Sequence, residues 1–311
     1  MEMPEKCELC PRRCGARRQA GERGFCGAGL LPRVARAALH YWEEPCISGE
    51  RGSGTVFFSG CTMRCRFCQN REISRGEAGA EISVARLAEI FLELQESGAE
   101  NVNLVTPMHY APQITEAVHS ARERGLALPV VWNTGGWETE ESVAMVEDCA
   151  DIWLTDLKYR DDLLALRFSG APGYFETAAA ALRQMVRQTG APVFDGRGMM
   201  KRGVIVRHLM LPGHGDDTRA VLEYLHGEYG DDIWISIMNQ YTPMGEDADY
   251  PELHRAVTDD EYEAALDYAM ELGIENAFIQ EGGTVSESFV PPFDLSGVLG
   301  PAGKTDGKGD I

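Results

Sequence analysis

The sequence has no long apolar run. None of its 311 residues fall in a stretch that approaches the roughly 20 apolar residues of a membrane-spanning helix, so no contact with membranes is expected. Residues 1–14 lack the apolar middle of a secretory signal, and the expected location is the cytoplasm. Positive charge is scarce as well: 29 Lys and Arg stand against 49 Asp and Glu, a net charge of −20. An acidic body repels phosphates and argues against nucleic acid as a partner. The deficit is uneven. Residues 1–40 carry eight Lys/Arg and four Asp/Glu, a local excess of about four positive charges (8 − 4).

The 44% hydrophobic content suffices for one large domain with a sizeable core. Nine cysteines in a chain without a signal read as metal ligands or catalytic thiols before disulfides. Seven fall in two groups: Cys7, Cys10, Cys14 and Cys26, then Cys61, Cys65 and Cys68. Cys46 and Cys149 stand apart.

Three regions are expected: a Cys-rich metal-binding module over 1–46, a core over 47–290 and a flexible tail over 291–311, rich in Gly, Pro and Asp. Within the core, short apolar runs predict strands over 54–59, 101–106, 129–133, 151–156, 204–210, 232–238 and 276–280. Amphipathic stretches predict helices between them, over 83–97, 112–124, 138–148, 161–168, 175–188, 217–229 and 259–272. Such alternation implies right-handed βαβ units on a parallel sheet. The expected fold is α/β, a partial (β/α)6 TIM-like barrel; an open doubly wound sheet is the alternative. A barrel puts its active site at the C-terminal strand ends. Those ends supply Thr106 and His109, Asn133 and Thr134, Asp156 and Lys158, Arg207, His208 and His214, Asn239 and Gln240, and Glu281. A structural protein has little need of so many polar groups at one rim.

The loop after the first strand reads Gly60-Cys61-Thr-Met-Arg-Cys65-Arg-Phe67-Cys68. Cys-x3-Cys-x2-Cys offers three thiolates, which hold three irons of a [4Fe-4S] cube and leave the fourth iron open to a ligand. A zinc site wants a fourth protein ligand nearby, and none follows at a usual spacing. Arg64 and Arg66 place positive charge beside the loop.

This spacing, the aromatic Phe67 before the last cysteine, and the position after a first strand resemble the radical S-adenosylmethionine (SAM) superfamily. The likeness is nearest to its pyruvate formate-lyase activating-enzyme-like group and covers most of residues 7–290. Asn133-Thr134-Gly135-Gly136 is similar to that group's Asp-Thr-Asn-Gly segment, and Asp156-Leu157-Lys158 to its Asp-Leu-Lys segment. Val206-Arg207 through Pro212-Gly213 resembles its Arg-containing strand that ends in Pro-Gly.

The resemblance implies that SAM binds the open iron through its amino and carboxylate groups. One electron then cleaves it to methionine and a 5′-deoxyadenosyl radical, which abstracts a hydrogen atom. It places Phe67 near the adenine. Asn133, Thr134 and Asp156 would lie near the SAM carboxylate or a bound cation, and Lys158 and Arg207 near SAM. It implies a flavodoxin- or ferredoxin-like reductant. There are two departures. The group's Gly-Gly-Glu segment, which meets the SAM amino group, is replaced by Thr106-Pro107-Met108-His109, and its Asp is Asn133.

In the head, Cys7-x2-Cys10-x3-Cys14-x11-Cys26 offers four thiolates to zinc or to a second [4Fe-4S] cluster. A module with so little core of its own needs a metal to fold. Gly15 and Gly27 are expected to turn backbone N–H groups towards the sulfurs. Cys46 is a candidate for the barrel mouth, and Cys149 for the core. Three functions compete: activation of a glycyl-radical protein, radical modification of a small metabolite or peptide, and a non-enzymatic iron–sulfur carrier or sensor.

Overall fold

The computed structural model describes residues 4–245, 248–280 and 290–300. Among the described residues ten strands run in chain order: β1 Arg33–His40, β2 Ser53–Phe58, β3 Ala80–Glu81, β4 Val102–Val105, β5 Val130–Thr134, β6 Ile152–Asp156, β7 Val193–Phe194, β8 Met200–Leu209, β9 Trp234–Met238 and β10 Ala277–Ile279. The helices are α1 Pro45–Ser48, α2 Arg71–Ser74, α3 Val84–Glu96, α4 Ala111–Glu123, α5 Glu140–Met145, α6 Asp162–Ser169, α7 Tyr174–Thr189, α8 Gly215–Tyr229 and α9 Asp259–Leu272.

The sheet order is β10-β9-β8-β6-β5-β4-β2-β1-β3, with β7 paired to β8. From β2 to β10 every contact along this path is parallel, whereas β1 lies antiparallel to both β2 and β3. The sheet is not closed; β10 and β3 are its two ends. This is the expected partial barrel, and all seven expected strands lie in its parallel part.

Alternation along the strands sorts the core. Val130, Trp132, Trp153, Val204 and Val206 face the helices, whose buried stripes include Leu87, Phe91 and Leu94 on α3. Val131, Ile152, Leu154 and Ile205 face inwards and pack on Cys46 and Ile47 of α1. Ordinary caps set the helix ends: Ser83 accepts from the Arg86 N–H at the start of α3, and Thr258 and Glu261 form a capping box on α9.

Three segments differ from expectation. Residues 33–40, read as part of the head, form β1 of the main sheet. Only Val34 among its eight residues is β-branched, so the strand signal was weak. The segment after it turns inwards, and α1 plugs the lower half of the barrel with Ile47 fully buried. The tail, expected to be flexible from 291, packs instead over its described part: Phe293 stacks edge-on against Phe57 at 5.6 Å, and Val298 is buried. Leu295 N–H donates to Ala35 O at 3.0 Å and Ala37 N–H to Ser296 O at 2.8 Å, so this segment runs along β1. Residues 301–311 and Glu281 lie outside the described residues. No helix among the described residues is long and apolar enough to cross a membrane.

Candidate active site

The loop after β2 is anchored at several points. Gly60 N–H donates to Ile73 O at 2.8 Å, and Arg66 N–H to Phe168 O at 2.8 Å. Gly60 has φ +94°, and a Cβ there would stand 2.4 Å from the Cys26 carbonyl oxygen. The head therefore touches the loop where only glycine fits. Cys61, Cys65 and Cys68 line one cavity of about 250 Å³ at the C-terminal ends of the parallel strands. Met63 N–H points at Cys61 Sγ, 3.4 Å away, and Ser169 Oγ–H at Cys65 Sγ, 2.9 Å away. Burial pushes all three thiols up, Cys68 to about 12. Thiols so placed become thiolates only beside a cation, and bound iron meets that condition. With Lys158 also lowering Cys65 and Cys68, the donor set fits an iron–sulfur cluster.

Phe67, Thr106, Asn133, Thr134, Asp156, Lys158, Arg207 and Gln240 line the same cavity. Phe67 is buried, with Tyr241 at 6.1 Å and Tyr159 at 6.5 Å between ring centres. Thr106 holds a left-handed φ of +56°, and its N–H donates to Asn133 O at 2.9 Å. Thr134 and Thr155 share a hydroxyl hydrogen bond of 3.0 Å. Gly136 lies so tightly on β6 that a Cβ would fall 1.9 Å from Asp156 O, which pins the turn after β5. Asn239 differs from its neighbours. Met238 and Gln240 line the cavity, while Asn239 N–H donates to Gln280 Oε1 at 3.1 Å.

Arg207 organises the far wall. Its Nε–H donates to Asp156 Oδ1 at 2.9 Å and its two terminal nitrogens to Asn133 Oδ1 at 2.6 Å and Glu43 Oε2 at 3.2 Å. Lys158 pairs with the other Asp156 oxygen. Burial alone would raise Asp156, but Lys158 and Arg207 outweigh it and hold the carboxyl below its ordinary value. Asp156 in turn keeps the buried Lys158 charged.

Glu43 was missed by sequence reasoning. It comes from the segment that leads into the plug, and its Oε1 accepts from Asn103 Nδ2 at 3.0 Å and Asn133 Nδ2 at 3.4 Å. This accounts for the asparagine at 133: an aspartate there would set a second carboxylate against Glu43, whereas the amide bridges Glu43 and Arg207. Glu138 was also missed. It lines the cavity, and burial raises its carboxyl to about 8. The adjacent pair Glu43-Glu44 before an apolar Pro-Cys-Ile run was a signal that could have been weighed; Glu138 gave none.

The remaining candidates lie elsewhere. Cys46 does not reach this mouth. It lines a larger cavity of about 760 Å³ beyond the plug, with Glu100, Phe194 and Trp234. Size alone does not make that cavity the active site, because the thiol triad and its charged wall lie in the smaller one. His109 is buried and holds Ser59 O at 2.9 Å, and burial depresses it to about 3. His208 faces the helices, between Leu157 O at 2.8 Å and Thr218 Oγ1 at 3.0 Å. His214 packs edge-on against Phe168. Arg64 reaches the head, donating to Phe25 O, and Arg66 sits over the Tyr250 ring.

In the head, Cys7, Cys10 and Cys26 are buried and Cys14 is exposed. Gly15 and Gly27 do not serve the sulfurs: their N–H groups donate to Cys7 O and Gly24 O, both at 3.0 Å. Leu9 and Arg12 backbone groups serve Cys7 and Cys10 instead. Arg18 joins the head to the barrel, reaching Cys26 Sγ at 3.6 Å and His109 O at 2.5 Å. Among the described residues no three His, Cys, Asp or Glu side chains converge on a single-ion site; cluster thiolates bind separate irons and have no need to.

The comparisons with known proteins agree with this geometry. The family model described as the radical SAM superfamily matches residues 55–225, more than half of the chain. The chain belongs to the radical SAM superfamily. It is 27% identical over 279 residues to the uncharacterised protein MJ0674 of Methanocaldococcus jannaschii, covering 87% of this chain and 76% of that one. Among solved structures it is similar in fold to methylornithine synthase (PylB), with a TM-score of 0.50, 17% identity, and 88% of this chain and 75% of that one covered. It is also similar to HydG, a maturase of the [FeFe]-hydrogenase, with a TM-score of 0.51, 13% identity, and 76% and 53% covered.

Proposed function

We propose that the protein is an enzyme that reductively cleaves SAM and uses the 5′-deoxyadenosyl radical to take a hydrogen atom from a glycyl-radical protein. The observation that carries the SAM reading is the convergence of Cys61, Cys65, Cys68, Asn133, Asp156, Lys158 and Arg207 on one cavity. Cys61, Cys65 and Cys68 would hold a [4Fe-4S] cluster, which would supply the one electron that reduces the sulfonium and breaks its C5′–S bond to leave methionine, a flavodoxin- or ferredoxin-like protein replacing that electron. Arg207 and Lys158 orient the SAM carboxylate, Phe67 packs against the adenine, and the buried wall keeps water from the radical. The activating-enzyme assignment rests on the Asp156-Leu-Lys158 and Arg207 segments. The replacement of Gly-Gly-Glu by Thr106-Pro-Met-His109 supports a second reading, in which the hydrogen donor is a small metabolite or a peptide.

On this reading Cys7, Cys10, Cys14 and Cys26 hold a second metal, either another [4Fe-4S] cluster or a zinc ion on which the thiolates would have to draw together, and the enzyme works in the reducing cytoplasm. Anaerobic reconstitution tests both sites at once. The parent should show a reducible cluster whose EPR signal changes on adding SAM. The Cys61/Cys65/Cys68→Ala variant should lose that signal and keep the head's metal. A SAM-sensitive signal surviving in the triple variant would place the cluster elsewhere.

A further inference from the structure

The two cysteine groups grip each other. Arg12 lies between Cys10 and Cys14 of the head, and its guanidinium reaches into the triad loop, donating through Nε to Thr62 O at 2.5 Å and through Nη2 to Gly170 O at 2.8 Å. Arg64 lies between Cys61 and Cys65 and reaches the other way, donating through Nη2 to Phe25 O at 2.5 Å. Both guanidiniums sit over the Phe25 ring, Arg12 at 3.6 Å and Arg64 at 4.6 Å from its centre. Phe25 directly precedes Cys26, whose carbonyl oxygen a Cβ at Gly60 would strike, and Gly60 directly precedes Cys61.

Arg64 holds a left-handed φ of +63°, which a residue with a side chain keeps only where its surroundings impose it. The partners of its guanidinium, the Phe25 carbonyl and ring, both belong to the head. The head in turn has little of its own to hold Arg12 and Phe25 in place. The apolar cluster inside it contains Cys7, Leu9 and Ala16, with Met145 of α5 packed against it. Its thiols lie within electrostatic reach of one another: Cys7 feels Cys14 and Cys26, and Cys10 feels Cys7 and Cys26. Gly24 leaves room for Cys14 Sγ, which a Cβ would meet at 2.4 Å. A metal on these thiols would fix Arg12 by way of Cys10 and Cys14, and Phe25 by way of Cys26.

We propose that the Arg12–Phe25–Arg64 contact is a latch through which metal in the head holds the triad loop in shape for its own cluster. The inference rests on the two-site reading above and goes beyond it by coupling the sites. Arg12 and Arg64 are then positioning residues. Coupling of this kind is reciprocal, so a cut latch must loosen the triad loop and weaken the head's metal by the same factor.

The test uses the full chain, reconstituted anaerobically. Hydrogen exchange over residues 60–68 reads the loop, and competition with a chelator reads the head's metal, the triad being told apart by its SAM-sensitive EPR signal. Emptying the head by Cys10→Ser with Cys14→Ser should speed exchange over 60–68 roughly tenfold, a factor typical of coupled sites. Arg64→Ala should do the same with the head's cysteines intact, and it should weaken the head's metal by a matching factor. The three changes together should speed exchange no further than either set alone. Arg64→Lys, which keeps a cationic donor, should recover part of both losses. Arg64→Gly accepts the left-handed φ but has no guanidinium, and should leave the head's metal as weak as Arg64→Ala does. Exchange across β4, β5 and β6 should stay parent-like throughout.

Parent-like exchange over 60–68 in Arg64→Ala overturns the latch, and so do head and Arg64 effects that simply add. Recovery of the head's metal in Arg64→Gly overturns it by assigning the role of Arg64 to backbone strain. Faster exchange across β4, β5 and β6 overturns it by showing a general loss of structure. A parent whose head takes up no metal shows that the two-site reading has failed and takes the latch with it. A parent with metal in both sites and no coupling shows that the latch alone has failed, and the two failures are thereby distinct.

Discussion

Two buried carboxylate–guanidinium sites sit at opposite ends of the barrel, and they are built differently. Below the plug, Glu100 receives two arginines, each through two nitrogens: Arg51 at 2.6 and 2.9 Å, Arg197 at 2.8 and 2.7 Å. Both of its oxygens are saturated, and the two arginines hold it down to about 2. Above the plug, one Arg207 divides its donors among Asp156, Asn133 and Glu43. There Glu43 and Asp156 share Arg207, and Asp156 also pairs with Lys158. The lower site is complete as it stands. The upper one spreads a single guanidinium over three partners and leaves Glu138 Oε2 unsatisfied.

Substitutions can break this contrast. The largest effect is expected from Arg207→Ala, which strands Asp156 and Glu43 in a dry wall. It should cost about 3–5 kcal/mol of stability and weaken SAM on the order of ten- to a hundredfold; denaturant melts and SAM titration read the two effects separately. Parent-like values in both would show that Arg207 is not the centre of the wall. Glu100→Ala should cost less, about 1–2 kcal/mol, because Arg51 and Arg197 are half exposed and return to water, and it should leave SAM affinity unchanged. Its pH signature has a definite sign. A carboxyl held at about 2 in the fold, against an ordinary 4.5, stabilises fully above 4.5, and this is lost as pH falls towards 2. Acid melts of the parent should therefore be steeper in that window than those of Glu100→Ala. The smallest effect belongs to Arg23→Ala, which removes an exposed pair to Glu81, of the kind worth about 0–1 kcal/mol. A larger loss would mean that this contact holds the head to the sheet edge.

The parallel part of the fold could be read from the sequence because each strand is a short, dense apolar run between amphipathic helices. What escaped was built from weaker material. β1 is Arg- and Ala-rich, the plug begins with Glu-Glu-Pro, and the packed tail has few apolar anchors, among them Phe293, Leu295 and Val298. The same holds for the site. Cysteine spacing and strand ends located the triad, Asn133, Asp156, Lys158 and Arg207. Glu43 and Glu138 could not be placed, because a carboxylate's burial depends on segments far away in the chain. His109 and His208 were rim residues by position, but their rings are spent on backbone and hydroxyl partners.

The plug has a consequence for traffic. With Ile47 sealed among Val131, Leu154 and Ile205, the thiol-lined chamber has a floor. The floor leaves the chamber open on the side of the strand C-termini, where the three thiols lie. SAM, seated against the floor wall at Arg207, would precede the hydrogen donor and be trapped beneath it until the donor leaves. On the proposed function, the floor would thus favour one order of binding.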